Sequence, residues 1–247
     1  MLSSHLPQGS RFAIIGASGA IGQAFLHGLR EAFPNGELVA LSRRPLSPQA
    51  LPDNARWLPI DLESEGSIAQ AAQEAANGSS LQGVIIASGL LHDGQSFQPE
   101  KSIKQLTVEK LQKSFLINAI GPALVGKHFL PCMPKRERSY FAALSARVGS
   151  ISDNRVGGWH GYRASKAALN MFLKNLSIEG KRSHPELIVA GLQPGTVDSA
   201  LSKPFQGSAR HTLEPSESVR GLLRALSGLS PEDSGTLIDW KGISFAP

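Results

Sequence analysis

A single cysteine, Cys132, in 247 residues excludes an intrachain disulfide and leaves no thiolate cluster to hold a metal. The seven histidines are scattered, and none is set against another histidine or a carboxylate at the spacing of a zinc motif, so no metal site is expected. Long apolar runs are scarce too: each is interrupted, and none approaches the roughly 18 uncharged residues that a membrane-spanning helix needs. Residues 1–10 lack the charged, then apolar, then small-residue order of a secretory signal. The expectation is a soluble cytoplasmic protein with no membrane partner. The net charge is +5, but there is no basic stripe. Cations occur singly or in pairs such as Arg43-Arg44 and Lys135-Arg136, so nucleic acid is not an expected partner and a phosphorylated small molecule accounts for the excess equally well.

What is present is a regular alternation. Residues 11–15 form a short apolar run stopped by glycines, after which Ile21, Phe25, Leu26 and Leu29 recur at helical spacing. Strands are expected at 37–41, 56–60, 83–87, 140–144, 187–192 and 236–239. Helices are expected around 68–76, 107–129, 161–179 and 216–226. Strands that alternate with helices imply a parallel sheet. With no repeat or linker to divide the series, the expectation is an α/β fold. It would be a single doubly wound Rossmann-type domain over residues 1–247, with about seven parallel strands and helices on both faces. Ligands of such a sheet bind outside the carboxyl ends of its strands.

Gly16-Ala17-Ser18-Gly19-Ala20-Ile21-Gly22 lies between the first strand and the first helix. Glycines there permit a tight turn and let a pyrophosphate approach N–H groups at a helix start, although a strand-to-helix turn needs glycine for conformation alone. An NAD site commonly ends its second strand in Asp or Glu, whereas this chain has Ser42-Arg43-Arg44. Guanidinium groups bind phosphate, so NADP(H) is favoured over NAD(H), the alternative being that both arginines are solvated surface charges. Asp61, followed by Leu62, either bonds the adenine amino group or caps the next helix.

Tyr162 and Lys166 stand four apart at the start of an expected helix, one turn apart on one face. An ammonium group beside a phenol stabilises its anion and lowers its pKa, which would suit Tyr162 to acid–base work, though such a pair is more commonly plain surface packing. Ser145 ends the strand at 140–144 and could bind a reacting carbonyl oxygen or cap a turn. Asn118, inside an otherwise apolar helix, is either a structural hydrogen bonder or part of a polar active-site chain.

Together with Gln193-Pro194-Gly195-Thr196-Val197, these motifs resemble the short-chain dehydrogenases/reductases over essentially the whole chain. The stretch Gly158-Trp159-His160-Gly161-Tyr162-Arg163-Ala164-Ser165-Lys166 is similar to the C-factor-like and carbonyl-reductase branch. The resemblance implies that Tyr162 donates the proton, Lys166 holds the nicotinamide ribose, Ser145 orients the carbonyl and Asn118 holds a relay water. It implies cofactor contacts from Gly16, Ser18, Gly19, Ala20, Ile21, Gly22, Ser42, Arg43, Arg44, Asp61, Leu62, Ala87, Ser88, Gly89, Asn118, Tyr162, Lys166, Pro194, Gly195, Thr196 and Val197. Two departures stand out: Ala20 replaces the fifth-position glycine of the turn, and Ile86-Ala87-Ser88-Gly89 replaces Asn-Asn-Ala-Gly. The implied function is NADP(H)-dependent exchange of hydride with a small carbonyl or alcohol substrate. Alternatives are a cofactor-bound signalling protein and a nucleotide-sugar epimerase, for which the roughly fifty residues after Gly195 leave little room.

Leu90, Leu91, Trp159, Leu201, Pro204 and Phe205 suggest an apolar substrate pocket, with residues 198–211 as a lid over it. The helices at 107–129 and 161–179 carry apolar residues on more than one face, which predicts a homodimer or homotetramer. A monomer would need that surplus shielded, for instance by the insertion at 147–160.

Overall fold

The computed structural model describes residues 2–208, the last three by backbone alone, and 212–247. Seven parallel strands form one sheet: β1 (Arg11–Ile15), β2 (Glu37–Ser42), β3 (Ala55–Pro59), β4 (Gly83–Ile86), β5 (Ser139–Leu144), β6 (Leu187–Gln193) and β7 (Thr236–Asp239). Their spatial order is β3-β2-β1-β4-β5-β6-β7, so the order reverses between β1 and β4 and opens a crevice there. The helices are α1 (Ala20–Ala32), α2 (Glu65–Ala76), α3 (Val108–Phe115), α4 (Gly121–Phe129), α5 (His160–Ser183) and α6 (Pro215–Ser227).

Alternation along the strands divides the core in two. Phe12, Ile14, Leu38, Ala40, Ile188 and Ala190 point to one face, where Phe25, Leu26 and Leu29 of α1 meet Val219 and Leu222 of α6. Ala13, Ile15, Val39, Leu41 and Val189 point to the other, onto Ile68 of α2, Phe129 of α4 and Leu169 and Leu173 of α5. Strands buried on both faces read as continuous apolar runs, which is why β1, β2 and β5 stand out in the sequence. The edge strand β3 is only half-buried and ends in Pro59, which has no N–H to offer a further strand.

The expected single helix at 107–129 is a correction. Residues Leu116–Ile120 form a π-helical turn between α3 and α4, with Gly121 N–H bonding back to Leu116 C=O. Pro122 supplies the cause: it cannot donate to the carbonyl of Asn118, and its ring would collide with that carbonyl in a regular α-helix. The whole stretch, Val108–Cys132, is also long and apolar enough to cross a membrane by length and composition, contrary to the expectation that no run comes near that limit. In the fold it packs on α2 and α5.

Candidate active site

A cavity of about 710 Å³ opens at the carboxyl ends of β1, β4 and β5. Of the expected site residues, Gly16, Ser18, Gly19, Ala20, Ile21, Ser42, Arg43, Arg44, Asp61, Leu62, Ala87, Ser88, Gly89, Ser145, Tyr162, Lys166 and Pro194 all line it. Gly22, Asn118, Gly195, Thr196 and Val197 do not, while Leu90, Ile117, Leu144, Ser199, Ala200 and Leu201 join its wall.

The glycine turn is tight enough to need its glycines. Gly16 has φ +85°, and a Cβ on it would lie 2.6 Å from the N of Ser88. A Cβ on Gly22 would overlap the carbonyl oxygen of Gly16, so Gly22 acts by letting α1 close against the turn. Gly19 is the N-cap of α1 and has no side chain to bond the first-turn N–H groups, which therefore remain available at the cavity wall. Ala20, which departs from the family pattern, simply begins the helix. This cradle fits a pyrophosphate.

At the end of β2, Ser42 accepts the indole N–H of Trp57 at 3.0 Å and donates to the C=O of Arg44 at 2.6 Å, which fixes the backbone between the two arginines. The Arg43 side chain is 70% exposed and 3.8 Å from Glu63, whose carboxylate lies much closer to Lys113, at 2.6 Å. Arg43 is therefore not tied down by its acid neighbour. Asp61 is not the cap of α2: Ser64 accepts the Ser67 N–H there, while Asp61 accepts the N–H of Glu63 and faces the cavity.

Asn118, in the π-helical turn and fully buried, uses its amide on protein groups. Its Oδ1 accepts the N–H of Leu90 at 2.7 Å, and Nδ2 donates to the C=O of Leu90 at 2.8 Å and to Ser165 Oγ at 3.1 Å. With both amide hydrogens committed, this side chain pins the loop after β4. The structural reading of Asn118 is the one its geometry supports, and Leu90 is held at the cavity wall as a result. Gly89 passes close beneath, where a Cβ would lie 3.6 Å from Lys166 Nζ.

Helix α5 has no ordinary N-cap. Trp159 occupies that place in a left-handed conformation, φ 50°, with no capping side chain. The buried carboxylate of Glu100 substitutes, accepting the N–H of Gly161 at 3.1 Å, while the Glu100 carbonyl accepts the N–H of Trp159. Arg163 ties the start of the helix to the preceding insertion through the carbonyls of Gly158 and Val148. Tyr162 is thus set by contacts on both sides. Glu100 was invisible to sequence reasoning, because nothing local links it to a helix sixty residues on.

Lys166 Nζ donates to the C=O of Leu144 at 2.8 Å and lies 5.8 Å from the centre of the Tyr162 ring. Burial pushes the Tyr162 phenol up to about 12 and the Lys166 ammonium down to about 8. The expected lowering of the Tyr162 pKa by Lys166 is not what this arrangement gives, because withdrawal from water penalises the charged form of both groups. Ser145, also buried, donates its Oγ proton to Asn170 Oδ1 at 2.6 Å.

Thr196 and Val197 are engaged with the chain beyond: the Thr196 C=O accepts the N–H of Leu213, and Val197 is buried and bridges to Leu213. Of the expected lid at 198–211, residues 209–211 lie outside the described residues. Phe205 rests edge-on against Trp159 at 5.0 Å and His92 at 5.6 Å, and His92 Nε2 is 3.0 Å from the carbonyl of Leu201. Trp159 in turn meets Tyr162 edge-on at 6.3 Å, so an aromatic chain joins this segment to the first turn of α5. Among the described residues no group of acidic, histidine and cysteine side chains could hold a metal ion.

Residues 11–209 match the family described as short chain dehydrogenase. The chain is 37% identical over 133 residues, 53% of its length and 75% of the relative's, to the C-signal protein of Myxococcus xanthus. Over 177 residues, 71% of this chain and 73% of the relative, it is 29% identical to 1-hydroxy-2-glutathionyl-2-methyl-3-butene dehydrogenase of a Rhodococcus species. Among solved structures, the NADPH-bound carbonyl reductase from chicken fatty liver superposes with a TM-score of 0.81 at 26% identity, covering 98% of each chain. The chain belongs to the short-chain dehydrogenase family and is an NAD(P)-dependent enzyme of that family.

Proposed function

We propose that the protein is an NADP(H)-dependent carbonyl reductase, taking a small apolar aldehyde or ketone. The observation that carries this is the convergence of Ser145, Tyr162 and Lys166 on the same cavity as the glycine turn and the two arginines. When bound, the nicotinamide supplies the hydride. The chain's own groups do the rest. Ser145 hydrogen-bonds the carbonyl oxygen, and Tyr162, protonated at neutral pH, donates to that oxygen as negative charge develops. Because the phenol stays protonated at neutral pH, the proton that reduction consumes is already in place. Lys166 holds the ribose, and Leu90 and Leu201 wall off water. The test is a screen of aldehydes and ketones that follows loss of NADPH absorbance. Turnover of none of them, by a protein that binds NADPH, would leave the second reading, a cofactor-bound signalling protein, which the likeness to the C-signal protein favours.

For the cofactor, Arg43 and Arg44 are the groups that would meet a 2′-phosphate. Replacing both with alanine is expected to cost NADPH about 1.5–3 kcal/mol per lost charged contact and to leave NADH nearly unaffected. Dissociation constants for the two cofactors check this, and equal affinities in the unaltered protein contradict it.

We further propose a homo-oligomer with two-fold symmetry. Ile120, Met171, Phe172 and Ile178 remain 41–62% exposed on the α4 and α5 side, so no described segment, the insertion at 147–160 included, shields them fully. A second copy of the same surface is the self-complementary partner. Light scattering at micromolar concentration should give a multiple of 26.3 kDa, and the monomer mass contradicts the proposal.

A further inference from the structure

Asn170 lies one turn beyond Lys166 on α5, is buried, and is in contact with the serine of the active site. The bond as it stands raises a difficulty. Ser145 donates its only proton to Asn170 Oδ1 at 2.6 Å, so the serine would present nothing but lone pairs to a substrate carbonyl oxygen, which is itself an acceptor. Meanwhile Asn170 Nδ2 is buried with no hydrogen-bond partner among the described residues. A buried NH₂ group holds two donors, and leaving both unmet is the costlier half of an amide to strand.

One movement removes both problems. The two ends of a carboxamide are nearly the same shape, so turning the group over exchanges Oδ1 and Nδ2 and disturbs nothing around it. Nδ2 then donates to Ser145 Oγ over the same short distance, and the hydroxyl proton is released toward the cavity. What remains without a partner is a carbonyl oxygen, the cheaper group to leave unpaired.

We propose that Asn170 is a positioning residue whose side-chain N–H donates to Ser145 Oγ, directing the serine proton at the carbonyl oxygen of the substrate. This rests on the role given to Ser145 in carbonyl reduction. Asn170 touches neither substrate nor cofactor and works only through the serine.

Two variants and one spectrum test it. Asn170→Asp keeps the shape but offers only acceptors when ionised, so it holds the serine proton away from the substrate. Asn170→Leu keeps the volume and removes the bond, and guards against misfolding of the charged variant. Both are expected to lower kcat by about tenfold or more while the Kd for NADPH stays within about twofold. In a Ser145→Ala background, each should change the remaining kcat by less than about twofold, because a residue acting only through the serine has nothing left to act on. Additive losses in the double variants, or a kcat unchanged in both single variants, overturn the proposal. The spectrum is independent of turnover: the Asn170 amide resonances, assigned by their loss in Asn170→Asp, should show a cross-relaxation peak from one Nδ2 hydrogen to the Ser145 β-hydrogens. One of the pair should also shift when Ser145 is replaced by alanine. Absence of both effects overturns the proposal even if no carbonyl substrate is found, and their presence sustains the bond if the reductase reading itself fails.

Discussion

Replacing Tyr162 with phenylalanine is expected to slow carbonyl reduction by about 10²–10⁴-fold, with NADPH affinity left nearly as it was. The phenol lines the same cavity as Ser145, and its proton is held firmly enough to be present at any physiological pH and given up only as an alkoxide forms. Phenylalanine keeps the ring, and with it the edge contact to Trp159 and the face turned to Lys166. The fold and the cofactor cradle therefore survive while the proton does not. Steady-state rates and cofactor titrations on the same preparation check it. An active variant would mean that the proton comes from elsewhere, and loss of NADPH binding would mean that the ring, rather than its hydroxyl, is what matters.

The second large effect falls on Lys166 and on pH. Burial holds its ammonium at about 8, so kcat/KM for reduction should be level near neutrality and fall about tenfold per pH unit above that value as the charge is lost. Lys166→Arg, which stays protonated, should carry this alkaline limb to higher pH at reduced rate. Lys166→Met should damage rate and cofactor affinity together. Stability moves the opposite way. Between about 8 and the ordinary lysine value of 10.5 the unfolded chain binds the proton that the folded chain has released, so Lys166 makes stability rise with pH across that window. Tyr162 opposes it above 10, where the unfolded phenol ionises and the folded one does not until about 12. A rate that falls through pH 8 while Lys166 contributes a stability gain separates loss of a catalytic charge from unfolding. A flat profile in the unaltered enzyme contradicts the assignment.

Most of this architecture was legible because the parallel strands are buried on both faces and therefore write continuous apolar runs, each followed by a helix with its own stripe. The meeting of Ser145, Tyr162 and Lys166 on one cavity was legible for a different reason. Tyr162 and Lys166 are neighbours through helical geometry alone, and Ser145 ends a recognisable strand. What escaped were contacts that join distant segments. Glu100 reaches the start of α5, Asn118 closes on Leu90, and Asn170 meets Ser145 across a helix–strand packing, none of which leaves a periodic trace. The π-helical turn did leave a signal: Pro122 sits four residues after Asn118, where a regular helix would need the N–H that proline lacks. The roles expected of Thr196 and Val197 came from the family resemblance alone; the chain pairs them with Leu213, and neither lines the cavity.

That hydride passes within this cavity to a carbonyl carbon held by Ser145 and Tyr162 is the core of the proposed mechanism. It is tested most directly with NADPH carrying deuterium at its transferable position and an aldehyde or ketone that the protein turns over, the product alcohol being examined by mass spectrometry and NMR. Deuterium is expected on the carbinol carbon of the product in one configuration, with transfer suppressed in Tyr162→Phe. Deuterium absent from that carbon, or transfer undiminished in the phenylalanine variant, would contradict it.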